Sequence, residues 1–346
     1  MAPADDEGPM KKIAILGAGS WGTALAIVLS RSPRKHEISL WARDAALAEV
    51  LKRNRENSTY LPGAFLPVEI RVTSGLRESV GGRDIVLGAM PSAHARSIYS
   101  QIAGHLSSDA IVVSATKGLE PSTHLRISKV ITQVLASEDA DLSRRLAVLS
   151  GPSFAAEAAR GEPTAIVLAS HDRALADELQ DEFAAPGFRV YSNSDVLGVE
   201  LAGAMKNVIA IAAGACQGLG LGFNAAAALV TRGLAEMTRL GVALGAKQET
   251  LFGLAGLGDL VLTCTGALSR NRQVGVQLGR GRPLAEILST MRMVAEGVGT
   301  TAALLALARE HNIELPITEQ VDAILHSGKS ARDAIRDIME RPLKKE

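Results

Sequence analysis

Lys12-Ile-Ala-Ile-Leu-Gly-Ala-Gly-Ser-Trp-Gly-Thr23 is the stretch of this chain that decides the fold. It begins with a wholly apolar run, Ile13–Leu16, of the kind that a parallel strand covered on both faces needs. The run ends at a G-x-G-x-x-G turn, and an Ala-, Leu-, Ile- and Val-rich stretch to Leu29 then predicts a helix. Strand, turn and helix in this order predict a dinucleotide-binding turn rather than an ordinary glycine-rich loop.

The three glycines of this turn have separate predicted roles. Gly17 lets the chain turn sharply, Gly19 lets the backbone approach a pyrophosphate, and Gly22 lets the helix pack closely on its strand. The free N–H groups and the dipole of the helix N-terminus then face the phosphates.

Composition narrows the functional class. The chain has 346 residues, 47% of them hydrophobic, which is enough for two domains with a sizeable core. Its formal net charge is zero, without a long basic or acidic run, and this argues against nucleic acid or an anionic membrane as a partner. We therefore expect a small-molecule ligand.

Cysteine content and the N-terminus favour a cytoplasmic protein. Cys216 and Cys264 lie among small apolar residues, which predicts reduced, buried thiols. Residues Met1–Pro9 are acidic, unlike a signal peptide, and we find no apolar run long enough to span a bilayer. No zinc signature, catalytic triad or carboxylate pair is recognisable, so we expect no metal. The side chains taken as structural histidines are His94, His105 and His124.

Seven further apolar runs predict strands, most of them separated by helical stretches. They are Glu37–Ala42, Glu69–Thr73, Asp84–Ala89, Ala110–Ala115, Leu146–Leu149, Thr164–Ala169 and Phe188–Tyr191. The alternation predicts an α/β fold, a Rossmann-like doubly wound sheet built by right-handed crossovers. From Ser194 onward the periodicity is helical, which predicts an all-α C-terminal domain. The predicted division is a tail at 1–10, a dinucleotide-binding domain at 11–193, a helical substrate domain at 194–340 and a tail at 341–346, with the active site in the cleft.

The end of the second strand bears on the choice of coenzyme. Arg43 suits a 2′-phosphate, whereas an acidic residue such as the neighbouring Asp44 suits a 2′-hydroxyl. Arg43 tilts the prediction towards NADP over NAD, although an exposed arginine here is ordinarily just solvated. The polar segment from Asn54 to Gly63 reads as a loop that could cover the cofactor.

Ligands of such sheets bind beyond the carboxyl ends of the strands, where three polar turns occur. They are Met90-Pro91-Ser92, Thr116-Lys117-Gly118 and Ser150-Gly151-Pro152-Ser153. Lys117 is the only charge in its turn, and we expect it to meet substrate rather than solvent alone.

Lys206 is the notable charge of the helical half, because it lies in an apolar stretch beside a strip of small residues that includes Gly203 and Gly214. One interpretation is a surface lysine that extends its ammonium into water. The other is a buried ammonium with a lowered pKa that exchanges a proton with a substrate oxygen.

Two further polar groups follow. Asp259 comes after a glycine-rich turn, where it caps a helix, orients Lys206 or binds a substrate hydroxyl, and Thr263 lies one turn later. Ser269-Arg270-Asn271 opens another helix. Ser269 alone would be a cap, but the three side chains together at a positive helix end favour a phosphate monoester.

Six ordered motifs together resemble the bacterial NAD(P)-dependent sn-glycerol-3-phosphate dehydrogenase family, from Lys12 to about Pro316. The matching stretches are Gly17–Ala26, Ala115–Gly118, Leu149–Ala155, Glu200–Asn207, Gly256–Leu260 and Ser269–Asn271.

The resemblance implies reversible hydride transfer between NAD(P) and C2 of glycerol 3-phosphate, which gives dihydroxyacetone phosphate. It also implies a 6-phosphogluconate-dehydrogenase-like fold, a cytoplasmic homodimer and a supply of glycerol 3-phosphate for phospholipid synthesis. In the family the residue matching Lys206 accepts the proton. The implied substrate contacts are Lys117, Gly151, Ser153, Asp259, Ser269, Arg270 and Asn271. The implied cofactor contacts are Ser20, Trp21, Arg43, Lys117, Ala155, Arg270, Val294 and Glu296.

This chain departs from the family at two places. Arg43 stands where many relatives carry histidine, and the stretch Met291–Val298 is a looser match. Two rivals remain: a ketopantoate or hydroxyisobutyrate reductase, which does not need Ser269-Arg270-Asn271, and a non-catalytic nucleotide sensor, which has no use for Lys206 beside Asp259.

Overall fold

The computed structural model describes residues 10–135, 142–291 and 293–343, so most of the two predicted tails lies outside the described residues. Two compact units divide the described chain. One joins the residues up to Thr116 with Ile127–Val196, and the other joins Lys117–Arg126 with the residues from Leu197 onward. The predicted division at residue 193 kept residues 117–126 with the sheet, whereas they cluster with the helical unit.

The first unit is built on an eight-stranded sheet in the order β3-β2-β1-β4-β5-β6-β7-β8. All eight predicted strands are present, and the α/β prediction with its helical second half is confirmed. The strands are β1 Lys12–Leu16, β2 Glu37–Trp41, β3 Arg71–Thr73, β4 Ile85–Gly88, β5 Ile111–Ser114, β6 Leu146–Ser150, β7 Thr164–Ser170 and β8 Phe188–Asn193.

The pairing of β6 with β7 is antiparallel, while every other neighbouring pair is parallel. The prediction that right-handed crossovers join parallel strands was therefore wrong for the connection between β6 and β7. The helix between the two strands, Ala155–Arg160, has six residues and rises only about 9 Å. This length is too short to carry the chain back to the end of the sheet where β6 begins. Strand β7 therefore starts at the end of the sheet where β6 finishes.

Helices cover both faces of the sheet. Ile13 and Ile15 of β1 belong to one apolar cluster with the first helix, and Ala14 and Leu16 belong to another on the opposite face. This division follows the two-residue period of a strand. The helices of this unit are α1 Ser20–Leu29, α2 Ala45–Asn54, α3 Leu76–Val80, α4 Ala95–Ile102, α5 Ile127–Leu135, α6 Ala155–Arg160 and α7 Arg173–Phe183.

The second unit is helical around one long central helix. Its helices are α8 Val196–Gly218, α9 Phe223–Ala243, α10 Gln248–Phe252, α11 Asp259–Thr265, α12 Arg270–Gly279, α13 Leu284–Ser289, α14 Glu296–Glu310, α15 Pro316–His326 and α16 Ala331–Met339. A single π-helical turn, Leu254–Gly258, precedes α11.

The small-residue strip of α8 brings it into backbone contact with α12. A Cβ atom added at Gly214 would lie 2.0 Å from the carbonyl oxygen of Arg272, and one at Gly275 would lie 2.0 Å from that of Ile211. Only glycine fits at such approaches, so the strip positions the start of α12 against α8.

Helix α8 also corrects one expectation from the sequence. Its 23 residues are long and apolar enough to cross a bilayer, contrary to our finding that no such run exists. The most apolar window of α8 is 94% buried inside the protein, as in the core helix of a soluble domain.

Candidate active site

The glycine-rich turn after β1 has the backbone shape that its sequence predicts. Gly17 has a φ of +121°, which L side chains rarely adopt. A Cβ atom at Gly22 would lie 1.9 Å from the carbonyl oxygen of Gly17, whereas one at Gly19 would meet no protein atom within 4 Å. The turn is therefore tight where the helix meets the strand and open at Gly19.

The N-terminus of α1 is suited to an anionic group. Its N-cap residue, Gly19, supplies no side-chain hydrogen bond, and no acidic residue lies in the first turn. The buried indole Nε1 of Trp21 has no hydrogen-bond partner among the described residues. The uncapped N–H groups, the helix dipole and this unsatisfied donor fit the pyrophosphate and ribose oxygens of a dinucleotide.

Asn57, which the sequence analysis missed, holds this turn in place. Its side-chain Nδ2 donates to the carbonyl of Ala18 at 2.9 Å and to Oγ1 of Thr23 at 2.8 Å, and the residue is fully buried. The polar segment from Asn54 to Gly63 thus braces the turn from the side. An asparagine in a polar loop carries no sequence signal for such a role.

Arg43 and Asp44 have different surroundings at the end of β2. Oδ1 of Asp44 accepts a hydrogen bond from Ala46 N at 2.8 Å and caps α2, whereas Arg43 is exposed. His94, which we took for a structural histidine without a partner, lies within electrostatic reach of Arg43. Burial and the charge of Arg43 both lower the pKa of His94.

The predicted residues after β6 form a compact turn beside α1. Gly151 has a φ of +137°, and Oγ of Ser153 donates to the carbonyl of Gly151 at 3.0 Å. Ala155 begins α6, which packs against α1.

Two lysines and one aspartate form a charge cluster in the helical unit. Nζ of Lys206 lies 2.6 Å from Oδ1 of Asp259, and Nζ of Lys117 lies 2.7 Å from Oδ2 of the same carboxylate. Lys206 is 6% exposed and Asp259 is 1% exposed, so Lys206 does not extend into water. The N-cap residue of α11 is Gly258, and the Asp259 carboxylate binds the lysines instead of capping the helix.

Burial and neighbouring charges set the protonation of this cluster. Burial lowers the pKa of Lys206 from 10.5 to about 7; Asp259 opposes this shift, and the like charge of Lys117 adds to it. Burial alone would raise the pKa of Asp259, but the two ammonium groups hold it below its usual value. The two ammonium groups therefore favour the ionised carboxylate, and burial brings the pKa of Lys206 close to neutral pH.

Thr263 completes the surroundings of the Lys206 ammonium. Its hydroxyl donates to the backbone carbonyl of Asp259 at 2.6 Å and accepts from Nζ of Lys206 at 2.8 Å. Because Asp259 and Thr263 lie four residues apart on α11, one helical face presents both acceptors.

The start of α12 carries the three side chains that the sequence predicts to bind phosphate. Oγ of Ser269 accepts from Arg272 N at 3.2 Å, so Ser269 does act as a helix cap. Nη1 of Arg270 donates to the carbonyl of Val294 at 3.1 Å. Burial lowers the pKa of Arg270 and the charge of Glu296 raises it, but a guanidinium remains protonated.

Asn271 ties this region to the lysine cluster. Its Nδ2 donates to Oδ1 of Asn207 at 2.9 Å, and its Oδ1 accepts from Gly297 N at 3.0 Å. Because Asn207 directly follows Lys206, the start of α12 and the start of α14 are held beside the Lys206 turn of α8.

The structure brings the predicted residues together in two sets, one in each unit. The helical unit collects Lys117, Lys206, Asp259, Ser269, Arg270, Asn271, Val294 and Glu296. The sheet unit carries Gly17, Gly19, Ser20, Trp21, Gly22, Arg43, Gly151, Ser153 and Ala155. Within the described ranges, no group of three or more His, Cys, Asp or Glu side chains is arranged to hold a metal ion.

Comparisons with known proteins find closely similar sequences and a similar solved structure. Residues 12–176 match the model of the NAD-dependent glycerol-3-phosphate dehydrogenase N-terminus, and residues 195–336 match that of the C-terminus. The glycerol-3-phosphate dehydrogenase [NAD(P)+] of Koribacter versatilis is 56% identical over 96% of this chain and 98% of its own length. The glycerol-3-phosphate dehydrogenase [NAD(P)+] of Citrifermentans bemidjiense is 51% identical over 97% of this chain and 99% of its own length. A crystal structure of glycerol-3-phosphate dehydrogenase from Coxiella burnetii superimposes with a TM-score of 0.90 at 40% identity, covering 96% of this chain and 99% of that one. This chain therefore belongs to the NAD(P)-dependent glycerol-3-phosphate dehydrogenase family.

Proposed function

We propose that this chain catalyses reversible hydride transfer between sn-glycerol 3-phosphate and dihydroxyacetone phosphate, with NAD(P) as coenzyme. The observation that carries the proposal is the buried Lys206, whose ammonium is bound by Asp259 and Thr263 and has a pKa of about 7. A sensor that only binds a nucleotide has no need for such a group. A dehydrogenase needs one, because the alcohol loses a proton when its C2 loses a hydride.

Lys206 handles that proton. In ketone reduction its ammonium donates to the oxygen on C2 and stabilises the negative charge that develops there. In alcohol oxidation its neutral amine accepts the hydroxyl proton. A pKa of about 7 leaves both forms populated near neutral pH, so one residue serves both directions.

Lys117 and Asp259 complete the polar surroundings of the reacting oxygen. Asp259 keeps Lys206 in position, and Lys117 neutralises the remaining carboxylate oxygen. While Lys206 is protonated, the cluster of two ammoniums and one carboxylate carries one net positive charge, which suits an alkoxide and a phosphorylated substrate.

Arg270 is the main phosphate ligand in this proposal. Its guanidinium offers a planar pair of donors at the positive end of α12. The amide of Asn271 already bridges Asn207 and Gly297, so its contribution is one remaining N–H together with the placement of Arg270. Ser269 retains its hydroxyl proton as a donor, and Gly151 and Ser153 complete the proposed substrate contacts.

The coenzyme, when bound, supplies or accepts the hydride. We assign its pyrophosphate to the turn at Gly17, Gly19 and Gly22, with Ser20 and Trp21 at the start of α1. The remaining proposed coenzyme contacts are Arg43, Lys117, Ala155, Arg270, Val294 and Glu296.

Arg43 is the proposed determinant of NADP preference, because it is exposed at the end of β2 while Asp44 is engaged as a helix cap. Arg43→Ala should reduce kcat/KM for NADPH about tenfold while leaving that for NADH within about twofold, since only the first loses a charge-assisted phosphate contact. Arg53→Ala, at an exposed position on α2, is the control. An unchanged ratio of the two coenzymes would refute the role of Arg43.

One assay separates this function from its rivals. NAD(P)H oxidation should require dihydroxyacetone phosphate and should not proceed with ketopantoate, unphosphorylated dihydroxyacetone or no substrate. Arg270→Ala should raise KM for the phosphorylated ketone by about ten- to a hundredfold, because a charge-assisted contact is lost. Equal activity of the wild-type protein on the ketone and its phosphate would contradict the phosphate role.

The biological setting is proposed from the family resemblance. We propose a cytoplasmic homodimer that supplies glycerol 3-phosphate for glycerophospholipid synthesis. Sedimentation analysis of the purified chain tests the dimer, and a monomer at micromolar concentration would refute it.

A further inference from the structure

The segment Lys117–Arg126 connects β5 to α5 but belongs to the helical unit. An isolated antiparallel bridge between Leu119 and Arg126 closes it into a hairpin. Inside the hairpin, Glu120 N donates to Leu125 O at 2.9 Å and His124 N donates to Glu120 O at 2.8 Å. The bridge therefore holds Arg126 beside Leu119, two residues along the chain from Lys117.

Both ends of the segment carry a cation that is paired with a buried acid of the helical unit. Lys117 binds Asp259, and Nη1 of Arg126 lies 2.6 Å from Oε2 of Glu200. The side chain of Leu119, between them, is buried in the apolar core of the same unit. The segment is therefore fastened at three points to the unit that carries Lys206.

Glu200 and Lys206 share α8 and lie six residues apart, about 9 Å along the helix axis. The Arg126–Glu200 pair thus attaches the hairpin to the same helix that carries the proposed proton donor. A buried ion pair adds little net stability, but losing one partner leaves an uncompensated charge, so the removal of either residue should disturb this attachment.

We propose that Arg126 and Glu200 are positioning residues that clamp the hairpin so that the Lys117 ammonium stays on Asp259 during the reaction. The inference rests on the roles proposed above for Lys117, Asp259 and Lys206. In this proposal neither clamp residue contacts the substrate, and both act through Lys117.

The clamp has an electrostatic consequence at Lys206. The titratable groups that act on Lys206 or respond to its charge are Asp259 and Cys264 on α11 and Lys117 on the hairpin. The like charge of Lys117 lowers the pKa of Lys206. Releasing Lys117 removes that repulsion and leaves Asp259 to Lys206 alone, so the pKa of Lys206 rises. The pH profiles of alcohol oxidation and of ketone reduction should then both move to higher pH.

The test is Arg126→Gln in the full-length protein, with kcat measured against pH in both directions. We expect kcat for oxidation at pH 7 to fall about two- to fivefold and the acid limb to move up by about 0.5 to 1 pH unit. Arg126→Lys should restore most of the activity. Arg83→Gln is the matched control, because Arg83 forms a 2.6 Å pair with Glu37 in the other unit.

A double-mutant cycle with Lys117→Ala decides whether the clamp acts through Lys117. We expect Arg126→Gln to have almost no further effect in the Lys117→Ala background. If Arg126→Gln does not fold, the double variant Arg126→Gln/Glu200→Gln, which leaves no unpaired buried charge, takes its place. An unshifted pH profile, or an equal loss of kcat in both backgrounds, overturns the clamp. If Lys117→Ala itself has no effect, the proposed role of Lys117 fails instead.

Discussion

Asp259 and Glu236 are both buried carboxylates of the helical unit, each 1% exposed, but their partners differ. Asp259 lies between two ammonium groups, and its pKa is held below its usual value. Glu236, on α9, accepts from the backbone N–H groups of Ile317 at 2.5 Å and Thr318 at 3.2 Å and from the Thr318 hydroxyl at 3.0 Å. Burial raises the pKa of Glu236 to about 7 despite these three donors and the smaller effect of the Arg239 charge.

The difference shows that neutral donors and full positive charges compensate burial unequally. Three neutral hydrogen bonds leave a buried carboxylate close to neutralisation, whereas two ammoniums keep it charged. Glu236 therefore acts as a cap that joins α9 to the start of α15. Asp259 instead supplies a permanent charge, which a proton-transferring lysine needs as its neighbour.

The largest expected effect comes from removing Lys206 from the charged cluster. Lys206→Ala should lower turnover by roughly two orders of magnitude or more in both directions, because no other group on α8 replaces its proton transfer. Coenzyme affinity, measured by NADPH fluorescence titration, should stay nearly intact. Lys329→Ala, which removes a lysine paired with Asp337 outside the cluster, is the control. Normal turnover of Lys206→Ala would remove Lys206 from the mechanism.

The second prediction concerns the contribution of Glu236 to the stability of the folded protein. Since the folded pKa of Glu236 lies above its ordinary value of 4.5, its stabilising contribution is complete below that value and is lost as pH rises towards 7. The unfolding free energy of the wild type relative to Glu236→Gln should fall by about 2 kcal/mol from pH 5 to pH 7, at about 1.4 kcal/mol per pH unit. Urea unfolding at several pH values measures this. A difference that does not vary with pH contradicts the raised pKa.

Asp259→Asn tests the charged partner directly. Removing the carboxylate withdraws the group that raises the pKa of Lys206, so that pKa should fall below 7. The acid limb of the oxidation profile should move down by about one pH unit, and kcat should drop about tenfold as Lys206 loses its anchor. Glu236→Gln is a control from the same unit, and its turnover profile should match the wild type. Identical shifts in the two variants would erase the distinction between the two acids.

The smallest expected effect is at Thr263. Thr263→Val keeps the shape of the side chain but removes the neutral hydrogen-bond acceptor of the Lys206 ammonium. We expect a loss of about two- to fivefold in kcat, because a neutral hydrogen bond contributes far less than the adjacent carboxylate. Thr265→Val, at the exposed end of α11, is the control. A loss as large as that of Asp259→Asn would mean that charge is not what distinguishes this site.

Much of the fold could be predicted because its signals are local. The apolar runs, the glycine turn at Gly17–Gly22 and the helical periodicity after Ser194 depend on neighbouring residues alone, and the structure confirms each of them. The antiparallel entry of β7 escaped prediction because it depends on the length of α6 relative to its strands. The bilayer-length apolar run of α8 escaped because Glu200 and Lys206 interrupt its hydropathy.

The residues of the candidate site could be named from the sequence, but their geometry could not be predicted. Lys206 left two interpretations open, and its burial against Asp259 excludes the surface lysine. Lys117 was expected with the sheet at the end of β5, yet its hairpin clusters with the helical unit. Asn57, Arg126 and Glu200 carry no motif at all, because their roles depend on partners distant in sequence.

The amino-acid sequence by itself determined which elements form, where the dinucleotide turn lies and which family the chain resembles, because these depend on residue types at short, regular spacings. Only the tertiary structure decided that two lysines share one carboxylate. It also decided that the hairpin between β5 and α5 is attached to α8. The physical reason is that a pKa near 7 arises from burial and from charges brought together over long sequence separations, which no local pattern records.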